Sequence, residues 1–139
     1  LDKKNRYVGA KIRAGSFTST DIELQSVEMD GSLTQTPEFP YNWMYDGSRP
    51  QMPGFEMEIT CKSLFLIFKD SGEMDVGKAN VFVNDVYCMT ADPHKNNWLH
   101  CNAVLLFWET ESRSHKVRIT VTEEDRNKKF TILGFGYTI

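Results

Sequence analysis

The chain has 139 residues, 40% of them hydrophobic and 25% charged, with a formal net charge of −3. That length fits one domain with a core large enough to stand without staples. The acidic balance argues against nucleic acid or an anionic membrane as partner, since both need a basic surface, and no run of about 18 apolar residues is present to span a bilayer.

The predicted elements follow from short apolar runs broken by turn residues. Tyr7–Ala14 is the first run and Ile22–Met29 the second, ended by Asp30-Gly31. Phe55–Cys61 alternates apolar and polar strictly, the period of a half-buried strand. Ser63 breaks that period, and Leu64–Phe68 is apolar on both faces. Ala79–Val83 and Val86–Met89 flank Asn84-Asp85, which reads as a hairpin with a tight turn. Ala103–Trp108 is a continuous apolar run, in which Trp108 reads as core or sheet surface. Lys116–Thr122 alternates again. Glu123–Asn127 reads as a charged turn, and Lys129–Ile139 closes the chain.

These runs amount to about eight strands and no amphipathic helix. An antiparallel two-sheet β-sandwich is the economical arrangement, because one flat sheet cannot bury both faces of eight strands. Residues 1–139 are read as a single domain. With Leu1-Asp2-Lys3-Lys4 at its start, the chain is expected to be a fragment of a longer multidomain protein. The longest irregular stretches are 30–54 and 91–102, and long loops on a rigid sandwich commonly hold function.

Catalytic motifs are scarce. There is no G-x-S-x-G, and Asp30-Gly31-Ser32-Leu33 differs in order from Gly-Asp-Ser-Leu. His94, His100 and His115 have no nucleophile and acid at a recognised spacing, so this chain alone is not expected to be an enzyme. Asp92, His94, His100 and Cys101 lack the tight ligand pairs of a zinc site. Asp70, Glu73 and Asp75 form a weak calcium candidate, although a solvated turn accounts for them more simply. Otherwise no cofactor is expected. Cys61, Cys88 and Cys101 are too few and too apolar in context for a disulfide framework; they are expected to be reduced, with one bridge and one thiol as the other option.

The segment Phe39–Pro50 sets Tyr41, Trp43 and Tyr45 at alternating positions. In an extended chain these share one side. Trp43 and Tyr45 stand beside Asp46 and Arg49, and the second loop repeats the mixture in Asn96, Asn97, Trp98 and His100. Aromatic faces hold the C–H surface of a sugar ring, while amides and charged groups bind its hydroxyls. If the two loops meet, they form a polar–aromatic site for a polysaccharide or oligosaccharide. A loop Trp taken singly more commonly folds back onto the core.

Gly77–Asp85, GKANVFVND, resembles the G-K-A-x-V-x-V-D-G hairpin of accessory β-sandwich domains attached to bacterial SGNH/GDSL hydrolases. His115-Lys-Val-Arg-Ile119 is similar to their H-x-V-x-I, and Lys129–Tyr137, KFTILGFGY, to their K-F-x-I-L-G-F-x-Y strand. The likeness covers residues 54–139 well and 5–53 loosely, and departs at Asn84-Asp85, where Asp-Gly is usual. It implies a jelly-roll-like, carbohydrate-binding-like module covalently linked to an esterase-type catalytic domain. The catalytic Ser and His–Asp of such a hydrolase are not in this chain. The module would then bind polysaccharide or oligosaccharide, or only pack on the hydrolase and shape its active-site rim. The resemblance is consistent with a secreted or cell-surface parent, and equally with an intracellular one.

Overall fold

Strict alternation over Phe55–Cys61 does make a strand, but the strand does not stop at the Ser63 break. In the computed structural model, which describes residue 7 and residues 9–21, 41–95 and 101–139, eight strands form. In chain order they are β1 (Lys11–Arg13), β2 (Thr18–Asp21), β3 (Tyr41–Tyr45), β4 (Phe55–Lys69), β5 (Ala79–Val83), β6 (Val86–Ala91), β7 (Cys101–Val121) and β8 (Phe130–Thr138). They are joined by antiparallel ladders into one sheet of order β2-β3-β8-β4-β7-β5-β6, with β1 pairing β4 off that path. Among the described residues no helix is long and apolar enough to cross a membrane. The chain is thus all-β, as expected, though the eight strands are not the eight predicted.

Two predicted pairs of strands are each one long strand. Along β4 the inward residues are Phe55, Met57, Ile59 and Cys61, then Leu64, Leu66 and Phe68. The parity changes because the register with β7 shifts between Cys61 and Ser63. Side chains alternate with a period of two, so such an irregularity swaps faces and keeps both apolar halves on the core. On β7, Arg113 opposes Cys61 and Trp108 opposes Ser63, so Lys62 alone stands against residues 109–112.

The long strands also serve two sets of neighbours. The first half of β4 pairs with β1 and the C-terminal half of β7, which passes the sheet on to β5 and β6. The second half pairs with β8 and the N-terminal half of β7, and β8 leads to β3 and β2. Side chains from the two halves meet in one core. Phe55 lies 5.2 Å from Trp43 and 5.7 Å from Phe135, stacked on the latter, and Phe68 stacks on Phe130 at 5.6 Å. Each fully buried ring of this kind is worth about 2 kcal/mol in transfer from water.

The predicted hairpin is present. Asn84 and Asp85 both have positive φ, 51° and 64°, the backbone of a tight I′-like turn. Asn84 tolerates that region because its side chain finds local partners: Lys116 N donates to its Oδ1 at 3.0 Å, and its own N–H donates to the Lys116 carbonyl at 2.8 Å. A single 3-10 turn, Glu123–Asp125, fills the predicted charged turn between β7 and β8. Tyr41–Tyr45 is a strand where an irregular stretch was expected. The predicted run Ile22–Met29 lies outside the described residues. No disulfide joins Cys61, Cys88 and Cys101.

Candidate functional site

Tyr41–Tyr45 pairs with β2 on one side and β8 on the other, and the alternation that aligns its rings turns two of them inward. Trp43 faces Ile132 across the ladder and Tyr45 faces Phe130, and both partners are buried. Trp43 is 4% exposed and Tyr45 3%. Tyr45 packs on Phe17 at 5.7 Å, and its hydroxyl donates to the Arg126 carbonyl at 2.5 Å. Burial raises the Tyr45 phenol above its ordinary value, against the lowering effect of Arg126. These two rings therefore belong to the core, which corrects the expectation that they present open faces to a sugar.

Asp46 and Arg49, the polar half of the same prediction, are exposed. Asp46 Oδ1 accepts from Ser48 N at 2.9 Å, and its hydrogen bonds with Ser48 hold the carboxyl below its usual range. Beyond it Ser48, Arg49, Pro50, Gln51 and Met52 line a shallow depression of about 530 Å3. Asn96, Asn97, Trp98 and His100 lie outside the described residues.

The calcium candidates do not converge. Asp70 is buried and accepts from Asn102 Nδ2 at 2.9 Å, Glu73 is exposed, and Asp75 lies 3.3 Å from Lys129 Nζ. Among the described residues no three His, Cys, Asp or Glu side chains gather as a metal site. His94 Nε2 is 2.6 Å from the Val76 carbonyl, and its backbone N–H donates to Asp92 Oδ1.

His115, quoted above within H-x-V-x-I, is buried beneath the hairpin turn. Asn84 spends its Oδ1 on Lys116 N, so its Nδ2 donates to His115 Nδ1 at 2.9 Å. That leaves Nε2 as the N–H, and it faces Glu109 Oε1. The imidazole ring also lies 4.1 Å from that of Phe107. This set fastens the base of the irregular segment 109–112 to the β5–β6 turn. Neither described histidine is bonded to a serine or cysteine.

Two surfaces not foreseen from the sequence are assembled instead. On the outward side of β7, β4 and β8, Trp108 stands beside Ser63 and Thr138, and Leu105 beside Phe65 and Gly136. Trp108 is 78% exposed, Leu105 48% and Phe65 40%. The signal was present in the doubly apolar runs Leu64–Phe68 and Ala103–Trp108, since only alternate residues of a strand can face one core.

The second surface lies on β5 and β6. Tyr87, 57% exposed, pairs with Phe82, and the Arg118 guanidinium sits 4.2 Å above the Phe82 ring. The Tyr87 hydroxyl is 2.7 Å from Thr90 Oγ1, which donates to Asn80 Oδ1 at 2.8 Å. Beside them runs an open groove of about 760 Å3 lined by Lys78, Asn80, Thr90, Thr122, Glu123 and Glu124. The backbone of one lining residue is anchored by Asp125, whose Oδ2 accepts from Lys78 N at 2.9 Å.

The sequence matches no protein-family model and no curated protein. Among solved structures, the fold is similar to a two-domain esterase (CEX) active on acetylated mannans, with a TM-score of 0.61 and 13% identity over 97% of this chain and 35% of that one. The form of that esterase co-crystallized with mannopentaose matches at a TM-score of 0.55 and 15% identity, over 97% and 38% of the two chains. A family two carbohydrate esterase from Cellvibrio japonicus is less similar, at 0.42 and 14%, over 94% and 36%. The chain thus spans a little over a third of the length of these esterases. At such identities the likeness is one of fold.

Proposed function

We propose that this chain is a non-catalytic, carbohydrate-binding-like accessory domain, covalently linked to an SGNH/GDSL-type hydrolase that acts on polysaccharide or oligosaccharide esters. One observation supports this above the others: nearly the whole chain superposes on about a third of a two-domain esterase active on acetylated mannans, at a TM-score of 0.61. We read the sheet as a jelly-roll-like sandwich, folded where β4 and β7 lose register, with the Trp43, Phe55 and Phe135 rings between its layers. In this reading Asp46 and Arg49 supply hydroxyl contacts, together with Asn96, Asn97 and His100, and Trp98 supplies the stacking face. Trp43 and Tyr45 belong to the core beneath the strand that leads into Asp46.

Affinity electrophoresis of the domain against mannans, xylans, β-glucans and pectins, with and without a calcium chelator, tests the reading. Retardation by one neutral class is the expected result. A uniform lack of retardation favours the second reading, that the domain packs on its hydrolase without binding sugar. The exposed Trp108, Leu105 and Phe65 favour that role, because a contiguous apolar face commonly marks an interface.

A further inference from the structure

We propose that the groove beside Tyr87 is a binding site for a neutral oligosaccharide, separate from the Asp46–Arg49 loop. The inference rests on the reading of the domain as a sugar binder and gives that function a second place on the fold. Hydrogen-bond direction sets what the groove can recognise. Thr90 gives its hydroxyl proton to Asn80 Oδ1. Tyr87 must then donate its own proton to Thr90 Oγ1. The relay fixes Oδ1 as the end of the Asn80 amide that meets Thr90, so Nδ2 keeps its N–H donors, and the Tyr87 oxygen remains an acceptor. Lys78 adds a cationic donor to the lining, and Glu123 and Glu124 add acceptors.

Interleaved donors and acceptors of this kind match vicinal hydroxyls, each of which both gives and accepts a proton. The charges narrow the class further. One lysine faces two carboxylates, and of the two only Glu123 has a basic neighbour among the described residues, Arg126 at 3.7 Å. Lys78 and Arg126 thus balance Glu123 and Glu124, so the groove has no net positive charge to draw in a phosphate or uronate, and a neutral polyol suits it better. The exposed Tyr87 ring supplies the flat apolar face that a pyranose needs. Phe82 meets it edge-on at 6.0 Å, and Arg118 covers Phe82 in turn, so the Tyr87 ring, next to the groove through Thr90, is held before ligand arrives.

The test is titration of the 139-residue chain, followed by NMR, with mannopentaose, xylopentaose and trigalacturonic acid. The variants are Asn80→Ala, Tyr87→Ser and Trp98→Ala, with circular dichroism confirming that each folds. Tyr87→Phe keeps the ring and removes only the hydroxyl. A neutral pentaose is expected to bind, with affinity reduced roughly five- to ten-fold by Asn80→Ala and by Tyr87→Ser, as loss of one or two good contacts implies. Equal binding of trigalacturonic acid would overturn the ligand class. Wild-type binding that survives both substitutions, or falls only in Trp98→Ala, would overturn this site while leaving sugar binding intact. Absence of binding by the wild type would overturn the functional reading itself.

Discussion

The backbone N–H of Lys78 donates to the carboxylate of Asp125 at 2.9 Å, and this one bond ties the start of β5 to the 3-10 turn after β7. Asp125 is 7% exposed, and its other oxygen lies 3.3 Å from Lys128 Nζ. Desolvation pushes its carboxyl up, but the Lys78 N–H and Lys128 outweigh it and hold the group below its ordinary value. A carboxyl depressed by folding stabilises the fold above its unfolded value and loses that contribution as pH falls through the folded one. Asp125→Asn is therefore expected to cost about 2 kcal/mol at neutral pH, the scale of a charge-assisted bond. The cost should shrink as pH is lowered below the ordinary carboxylate range. Urea unfolding of both proteins across pH measures this; a cost that stays constant into acid would contradict it.

Trp43→Ala is expected to unfold rather than selectively disarm the domain. The ring lies 5.2 Å from Phe55 and 6.2 Å from both Phe135 and Tyr7. Emptying such a site costs about 3 to 5 kcal/mol. A melting curve and a near-ultraviolet spectrum decide the matter, and a variant that melts like the parent would remove Trp43 from the core.

Gly15 and Gly9 separate two costs of adding a side chain. Both have positive φ, 57° and 73°. A Cβ on Gly15 would sit 2.1 Å from the Pro53 carbonyl oxygen, whereas one on Gly9 would meet nothing within 4 Å. Gly9→Ala should lose about 1 kcal/mol, from backbone strain alone. Gly15→Ala should lose clearly more, because the turn at Ser16, whose N–H donates to the same Pro53 oxygen at 2.7 Å, must open. Equal losses in denaturant titrations would show that the close approach is not there.

Trp108→Ser should leave the isolated domain's stability within about 0.5 kcal/mol, as expected for a surface position. In a full-length hydrolase the same change should lower the melting temperature if the apolar face docks there, and have no effect if the face is free. Calorimetry of the two proteins side by side reads both outcomes.

Much of the strand content was legible from local pattern. Alternation in Phe55–Cys61 and Lys116–Thr122, the Asn84-Asp85 turn and the charged break before β8 all appear where the residues place them. The continuity of β4 was not legible, because Ser63 breaks the period in sequence while a register shift repairs it in space. The candidate site was less legible still. Asp46 and Arg49 are at the surface as read, but their aromatic neighbours are not.

Trp43 and Trp108 show why. Both sit in segments whose period of two divides the side chains into two faces, and local sequence determines that division. It does not say which face is inward. β3 lies against β8 with Phe55 and Phe135 over its Trp43 face, so that ring is enclosed. Trp108 lies on the opposite side of its ladder from Leu64 and Phe107, and is left in water. Period and turns are short-range properties of covalent geometry; inside and outside are decided by which distant strands come to cover a face.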